Sequence, residues 1–369
     1  MTTRTPARVD EIDTPAILID LDIMERNLAR VADYAREHSL RLRPHTKTHK
    51  IPSLARRQLE MGAAGLTVAK VGEAEVMLAS DTPDLLLAFP IVGPPKLARL
   101  MDVARKTSVT VALDSLEAAS DLSTAAHGAR VEVGVLAETD VGLGRVGVAP
   151  GGLGELIENI RRMPGLRWEG MAFYPGQIKK MDDTGERDIE KLASLIEQTL
   201  CDLERAGLKP RIVSGGSTPT LFRSHRLPGV NEIRPGTYIF NDSNTVLSGA
   251  CEWQDCAASI LATVVSTAKP GQMIVDGGSK TFSSDRPSSG TDVSFGRVVE
   301  SPESVFARMN EEHGFIELRN PPRRFSVGDR VHIIPNHICV AMNLHEQVYG
   351  VRNGAVEQIW RVEARGKLQ

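Results

Sequence analysis

The stretch LRLRPHTKTHKIPSLARRQLEMG, residues 40–62, holds the unit from which the fold is read. LRLRPH (40–45) alternates like a strand, and IPSLARRQLEMG (51–62) has the apolar spacing of an amphipathic helix. Between them RPHTKTHK (43–50) places two lysines and two histidines in eight residues. Such a cluster can be a solvated basic patch, a metal cluster or the seat of a covalent cofactor. Strand, loaded turn and helix then recur along the chain. AILIDLD (16–22), GLTVAK (65–70), DLLLAFP (84–90), SVTVALD (108–114), RVEVGVLAET (130–139), WEGMAF (168–173) and PRIVSG (210–215) are the other β-rich runs, alternating with helical stretches such as DIEKLASLIEQTLCDLERAG. About eight β units closing near residue 240, without G-x-G-x-x-G after the first strand, favour a (β/α)8 TIM-like barrel over a doubly wound sheet.

After Asn241 the pattern changes. ASILATVVSTA, QMIVDGG, SFGRVVE, HGFIEL, RVHIIPNHICVAM and VEQIWRVEAR are short, β-branched and separated by turn signals. The expected organisation is a barrel over 15–244 and an antiparallel β domain over 245–369, with residues 1–14 adding an extra strand. A gap between two such domains is a natural place for a ligand.

With 369 residues, 41% hydrophobic and 25% charged, the composition is that of an ordinary globular protein. A net charge of −3 argues against nucleic acid as the main partner, which wants a basic excess. MTTRTPARVDEIDTP lacks an apolar signal-peptide core, and no apolar run approaches membrane-spanning length. Cys201, Cys251, Cys256 and Cys339 do not make a disulfide framework, so the expected location is the reducing cytoplasm.

In a β/α barrel the reacting groups sit at the C-terminal ends of strands. Lys47 follows LRLRPH and so occupies that place, where a dry mouth and cationic neighbours would lower its pKa; Lys50 is its competitor. SGGSTPT (214–220) and RPGTY (234–238) offer glycine amides and hydroxyls, suited to a phosphate at the last two strands. An ordinary βα turn explains either loop alone. Arg145 leaves a strand through glycines in ETDVGLGRVGV and can reach an anionic oxygen.

In PNHICVAMNLHE, His337 and Cys339 lie two apart on an expected strand, with β-carbons roughly 6–7 Å apart on one face. Imidazole and thiolate suit zinc or a similar metal, with open positions left for water or substrate. An inert buried pair is the alternative. Asp276, Lys280 and Asp285 in DGGSKTFSSD are support for a neighbouring site or simple turn chemistry, and His313 and His345 carry no assignment.

Taken together, IDTPAILIDLDIMERNLARVADYA, RPHTKTHK, TVAKVGEAEVMLAS, ETDVGLGRVGV, RPGTYIFND, DGGSKTFSSD and PNHICVAMNL resemble the D-threonine aldolase and D-serine dehydratase family. These are fold-type III pyridoxal phosphate enzymes, relatives of alanine racemase. The resemblance implies that Lys47 carries pyridoxal phosphate covalently and that Arg145 lies near its phenolic oxygen. It implies a cofactor-pocket place for Tyr174, a phosphate cradle of Gly216, Ser217, Gly236 and Thr237, and Arg234 facing the pyridine nitrogen. His337 and Cys339 match the family's metal pair, for zinc or manganese. His45 and Arg43 are expected as pocket support, with His49 and Lys50 beginning the next helix.

The activity so implied is metal-dependent cleavage of a D-β-hydroxy-α-amino acid to glycine and an aldehyde, the D-threonine aldolase type. The alternative is dehydration of D-serine or 3-hydroxy-D-aspartate to a keto acid and ammonia. The His-x-Cys form looks more like the zinc-using dehydratases, while segments such as GTYIFNDSNTV look like the aldolases. The family also implies a homodimer with shared active sites. A non-catalytic cofactor carrier and a structural zinc protein are the remaining readings.

Overall fold

Val133–Glu138 is a run of six buried residues, the mark of a parallel strand covered on both faces. In the computed structural model, which describes residues 5–287 and 294–369, it is one of eight parallel strands. With β1 being Ala16–Asp20, the eight are β2 (Arg41–Leu42), β3 (Leu66–Val68), β4 (Asp84–Leu87), β5 (Ser108–Leu113), β6 (Val133–Glu138), β7 (Leu166–Ala172), β8 (Ile212–Gly215) and β9 (Glu232–Ile233). They pair in the order β3-β4-β5-β6-β7-β8-β9-β2. The two outer strands then meet: Thr67 N donates to Pro44 O at 2.8 Å, and His45 bridges Thr67 in parallel, closing the sheet into a barrel. Leu86, Ala112, Leu136, Ala172 and Ile212, one from each of five successive strands, form a buried cluster.

The count of eight agrees with the sequence, but the membership shifts by one. β1 pairs with two strands of the other sheet, antiparallel to β10 (Ala258–Ser266) and parallel to β16 (Gln347–Arg352). Ile17 and Ile19 have no exposed surface and Ala16 and Leu18 almost none, so AILID is buried on both faces. Such a run fits a barrel strand and a central mixed-sheet strand equally well. The true eighth barrel strand, Glu232–Ile233, has only two residues and shows no periodicity at all. Its place makes SGGSTPT and RPGTY the loops after the seventh and eighth barrel strands.

The remaining strands are β11 (Gln272–Val275), β12 (Gly296–Val298), β13 (Val305–Met309), β14 (Gly314–Glu317), β15 (Arg330–Pro335) and β17 (Ala355–Arg361). With β1, β10 and β16 they form a nine-stranded sheet, antiparallel except for the β1–β16 pair. Ile12, Ala16, Leu18, Leu261 and Tyr349 form a core cluster on it. By contacts the chain divides into two units, one of Arg30–Gly236 with Gly366–Gln369, the other of Thr237–Arg365 with the N-terminal residues up to Ala29. The boundaries thus differ from the expected 15–244 and 245–369 at both ends, because β1 is paired in the β domain and Gln369 O accepts from Gly72 N of the barrel unit. Of the expected extra strand 1–14, residues 1–4 lie outside the described residues. Ala7 to Val9 lie against Gly354–Val356 through three contacts without becoming a named strand.

Candidate active site

In the barrel unit, β2 continues in hydrogen bonding to His45, whose N donates to Pro235 O at 2.9 Å. The chain then tightens into a 3-10 turn, Thr46–Thr48, capped by the His45 ring, whose Nδ1 accepts from Lys47 N at 3.4 Å. This puts Lys47 at the C-terminal end of the first barrel strand, as expected, but its side chain is exposed rather than in a dry mouth. Burial and the nearby charges of Lys47 and Arg234 hold His45 well below the usual imidazole range, so it stands neutral beside the lysine.

The rest of RPHTKTHK is structural. Lys50 has φ +57° and a buried ion pair, Nζ to Glu73 Oε1 at 3.1 Å, while Glu73 Oε2 accepts from Ala69 N. His49 accepts from Ile51 N through Nδ1 (3.0 Å), so its other nitrogen donates to Gln58 Oε1 (3.2 Å). Neither begins the next helix, which starts at Pro52. Arg43 lies in the barrel core with Nε on Glu232 Oε2 (3.0 Å) and Nη2 on Asp84 Oδ2 (2.9 Å). Burial works against its charge, but the two carboxylates more than offset this.

From Glu232 a buried chain runs to Arg234. Ser214 Oγ donates to Glu232 Oε1 at 2.7 Å and accepts from Arg234 Nη1, while Arg234 Nη2 donates to Phe173 O at 3.0 Å. Glu232 opens β9 and Arg234 directly follows its last residue, and Ser214 pairs in register with Glu232. Arg234 is therefore fixed in direction before any ligand arrives. Glu138, the buried last residue of β6, has burial lifting its carboxyl while Arg234 and Arg145 pull it back. Glu138, Glu232 and Ser214 were missed in the sequence. A lone acid ending an otherwise apolar strand was the signal available for Glu138.

Arg145 and Tyr174 come together: the guanidinium carbon lies 4.8 Å from the ring centre. Asp140 shapes the first loop by accepting from the amides of Gly142, Leu143 and Gly144, the two glycines at positive φ. Gln177 Nε2 donates to Val141 O at 2.7 Å and ties the Tyr174 loop to it. In the loop after β8, Gly216 has φ +100°, and Ser217 and Thr220 bond reciprocally, so Ser217's amide and hydroxyl are engaged within the loop. After β9, a Cβ on Gly236 would lie 2.9 Å from His45 O and from Thr48 Oγ1, so only glycine fits beside the lysine turn.

The expected strand carrying His337 and Cys339 is not there. β15 ends at Pro335, His337 is the extended N-cap of a helix, Ile338–Leu344, and Cys339 lies in its first turn. Ile338, Ala341 and Met342 are its buried residues, a helical i, i+3, i+4 spacing that overrides the β propensity of Ile338 and Val340. The two side chains still meet, hydrogen-bonded to each other through cap geometry rather than strand pleat.

His337 Nδ1 bonds to Asp285 Oδ2 at 2.9 Å, which leaves Nε2 for another partner. Cys339 Sγ lies 3.6 Å from Thr237 Oγ1. Asp242, fully buried, accepts from Ile338 N and Thr245 N and so seats the helix start. Burial pulls the His337 pKa down, but Cys339, Asp242 and Asp285 together push it up to about 10. A field that favours imidazolium also favours a bound cation. Of DGGSKTFSSD, only Asp285 reaches the pair; Asp276 bonds Thr263 and Thr14, and Lys280 pairs with Glu311 and Glu312. His345 bonds Thr281 O. No group of three or more His, Cys, Asp or Glu suited to a metal occurs among the described residues.

Residues 19–244 match the family model described as "Alanine racemase, N-terminal domain", and residues 257–351 match "Putative serine dehydratase domain". The chain is 33% identical over 372 residues to 3-hydroxy-D-aspartate aldolase of Paracoccus denitrificans, covering 97% of this chain and 93% of that protein. It is 34% identical over 352 residues to D-threo-3-hydroxyaspartate dehydratase of Delftia sp., covering 89% and 91%. The crystal structure of D-threonine aldolase from Filomicrobium marinum superposes with a TM-score of 0.93 at 31% identity, covering 100% of both chains. Parallel barrel, appended sheet and strand-end lysine define an enzyme of the alanine-racemase-like fold type III class. Within that class, the chain belongs to the D-threonine aldolase and D-serine dehydratase family, a family of pyridoxal phosphate enzymes.

Proposed function

We propose that the chain is a pyridoxal phosphate- and divalent-metal-dependent lyase of D-β-hydroxy-α-amino acids, of the D-threonine aldolase type, giving glycine and an aldehyde. The observation that carries this reading is one chain holding both a strand-end lysine, exposed beside a neutral imidazole, and a carboxylate-oriented histidine bonded to a thiol.

The residues fit the two groups the family implies. Lys47 has an exposed amine at a strand end, Arg234 is a pre-oriented guanidinium, and Gly216 and Gly236 leave space where side chains would intrude. His337 keeps Nδ1 on Asp285 and turns its other nitrogen toward Cys339, and imidazole with thiolate suits zinc better than manganese. When bound, pyridoxal phosphate supplies an electron sink and the metal a Lewis acid for the substrate hydroxyl.

The chain's own residues do the rest. Lys47 carries the cofactor and moves protons at Nζ, helped by the unprotonated His45 that adds no competing charge. Gly216, Ser217, Gly236 and Thr237 would receive the phosphate, and Arg145 rests on the Tyr174 ring. Arg234, held by Ser214 and Phe173 O, would be the residue that meets the cofactor ring. His337 and Cys339 would hold the metal, and Asp285 fixes the imidazole's orientation. The assembly is a homodimer, and the chain works in the cytoplasm. No described helix is long and apolar enough to cross a membrane.

Dehydration is the second reading, favoured by the His-x-Cys pair and by the 34% identity to the Delftia dehydratase. Product analysis separates them. Loaded enzyme given D-threonine and 3-hydroxy-D-aspartate yields glycine with acetaldehyde or glyoxylate if it is an aldolase. Ammonia with a keto acid identifies a dehydratase, and neither set of products defeats both readings. Lys47→Ala should remove a cofactor band at roughly 410–430 nm and lower turnover at least about 10³-fold.

A further inference from the structure

That reading leaves unused two thiols at the ends of the loop CEWQDC, Cys251 and Cys256. Cys251 is half-buried, Cys256 is buried, and each thiol is the foremost influence on the other's pKa, as only near neighbours can be. The loop is drawn tight by a 3-10 turn, Trp253–Asp255, in which Glu252 N donates to Asp255 Oδ2 (3.0 Å) and Cys256 N to Trp253 O (3.2 Å). The Arg297 guanidinium lies 4.2 Å over the Trp253 ring. The thiols are not equivalent. Cys256 pulls the Cys251 thiol down, Thr245 helping against burial, Asp255 and Asp242; Cys251 and burial push Cys256 up.

We infer that Cys251 and Cys256 form an oxidation site at which a hydroperoxide closes an intramolecular disulfide, loosening the seat of the helix that bears His337 and Cys339. Cys251 is the accessible, more acidic thiol and acts as nucleophile. Its sulfur attacks the O–O bond, forming a sulfenic acid and releasing the other oxygen as water or alcohol. The Cys256 sulfur then attacks the Cys251 sulfur: the S–S bond forms, the S–O bond breaks, and hydroxide leaves with the Cys256 proton as water. Two thiols lose two electrons and one peroxide gains them.

The consequence travels through named bonds. Reduced Cys251 donates to Thr245 Oγ1 at 3.5 Å. Thr245 and Asp242 are joined by three hydrogen bonds of 2.7 to 2.9 Å, and Asp242 Oδ2 accepts from Ile338 N at 3.0 Å. A disulfide removes the Cys251 donor from this cap.

The experiment treats full-length reduced protein with one equivalent of hydrogen peroxide, alkylates it and maps its tryptic peptides. Leu227–Lys280 carries both thiols and no other cysteine, because Arg234 and Lys269 precede prolines. Expected is this peptide lighter by two hydrogens and unalkylated, with Cys201 and Cys339 still alkylated. Cys256→Ser should stop at a sulfenic acid trapped by dimedone, and Cys251→Ser should react at neither position. Full alkylation of both thiols after peroxide, or a disulfide to Cys201 or Cys339, overturns the site. Amide exchange at Thr245 and Ile338 should be several-fold faster in the oxidised protein and return with dithiothreitol. Unchanged exchange there overturns the link to the helix.

Discussion

In the barrel unit, Arg43 and Glu232 keep at most 2% of their side chains in solvent, and each is answered by an opposite charge or a hydroxyl. In the β domain, His337 and Asp285 keep 39% and 42% of theirs exposed. The same chemistry, a cation held by a carboxylate, therefore serves two ends. Buried, it fixes a shape, because separating the pair strands a charge in low dielectric. At the surface, it orients one ring and leaves solvent to screen the rest.

The sharpest way to break this contrast is Glu232→Ala. The substitution leaves Arg43 with Asp84 alone and strips Ser214 of its acceptor. A loss of about 3–5 kcal/mol is expected in urea unfolding. A loss under about 1 kcal/mol, the scale of surface pairs, would mean the core network is no different from the surface.

His49 tests burial with pH. Wholly buried, it is depressed from 6.5 to about 4 by loss of solvation, against hydrogen bonds to Gln58 and Ile51. The unfolded chain takes a proton that folded His49 refuses, so stability is full above pH 6.5 and falls as pH drops toward about 4. The fall attributable to this ring is up to about 3 kcal/mol. It is read as the difference between wild type and His49→Gln across that window. A difference that stays constant with pH would remove His49 as the cause.

How much of this was legible follows from what each residue had to announce. Lys47 was readable because an alternating strand, a turn and Pro52 bracket it, and position in a β–α unit fixes function's place. β1 was misplaced because burial on both faces erases the periodicity that would assign its sheet. Glu232–Ile233 was invisible because two residues carry no period. His337 and Cys339 were singled out by residue type, but their β-branched neighbours suggested a strand where Ile338, Ala341 and Met342 form a helix face. Asp242 announced itself only as one more residue of NDSNT, although Asp-x-x-Thr is a capping-box spacing.

Asp285→Asn addresses the exposed half. Asparagine keeps a hydrogen bond to the His337 ring but removes its charge. Affinity for zinc should fall about 10- to 100-fold, measured by competition with a chelator, while the cofactor band stays as it was. Unchanged zinc affinity would separate Asp285 from the metal; a lost cofactor band would show that its effect is general.

The smallest effect sharpens the contrast most. Arg145 and Tyr174 belong to the barrel unit, yet the arginine is exposed, its guanidinium rests on the ring at 4.8 Å, and Glu138 acts on it only through space. If burial rather than domain sets the strength of a charge contact, this pair should behave like the exposed site of the β domain. A double-mutant cycle of Arg145→Met and Tyr174→Leu should give a coupling of about 0.5–1 kcal/mol. Arg145→Lys should lose most of it, since an ammonium lacks the flat face that stacks. A coupling above about 2 kcal/mol, the desolvated range, would make the rim as rigid as the Arg43–Glu232 core. The dividing line would then run between barrel and β domain, not between buried and exposed.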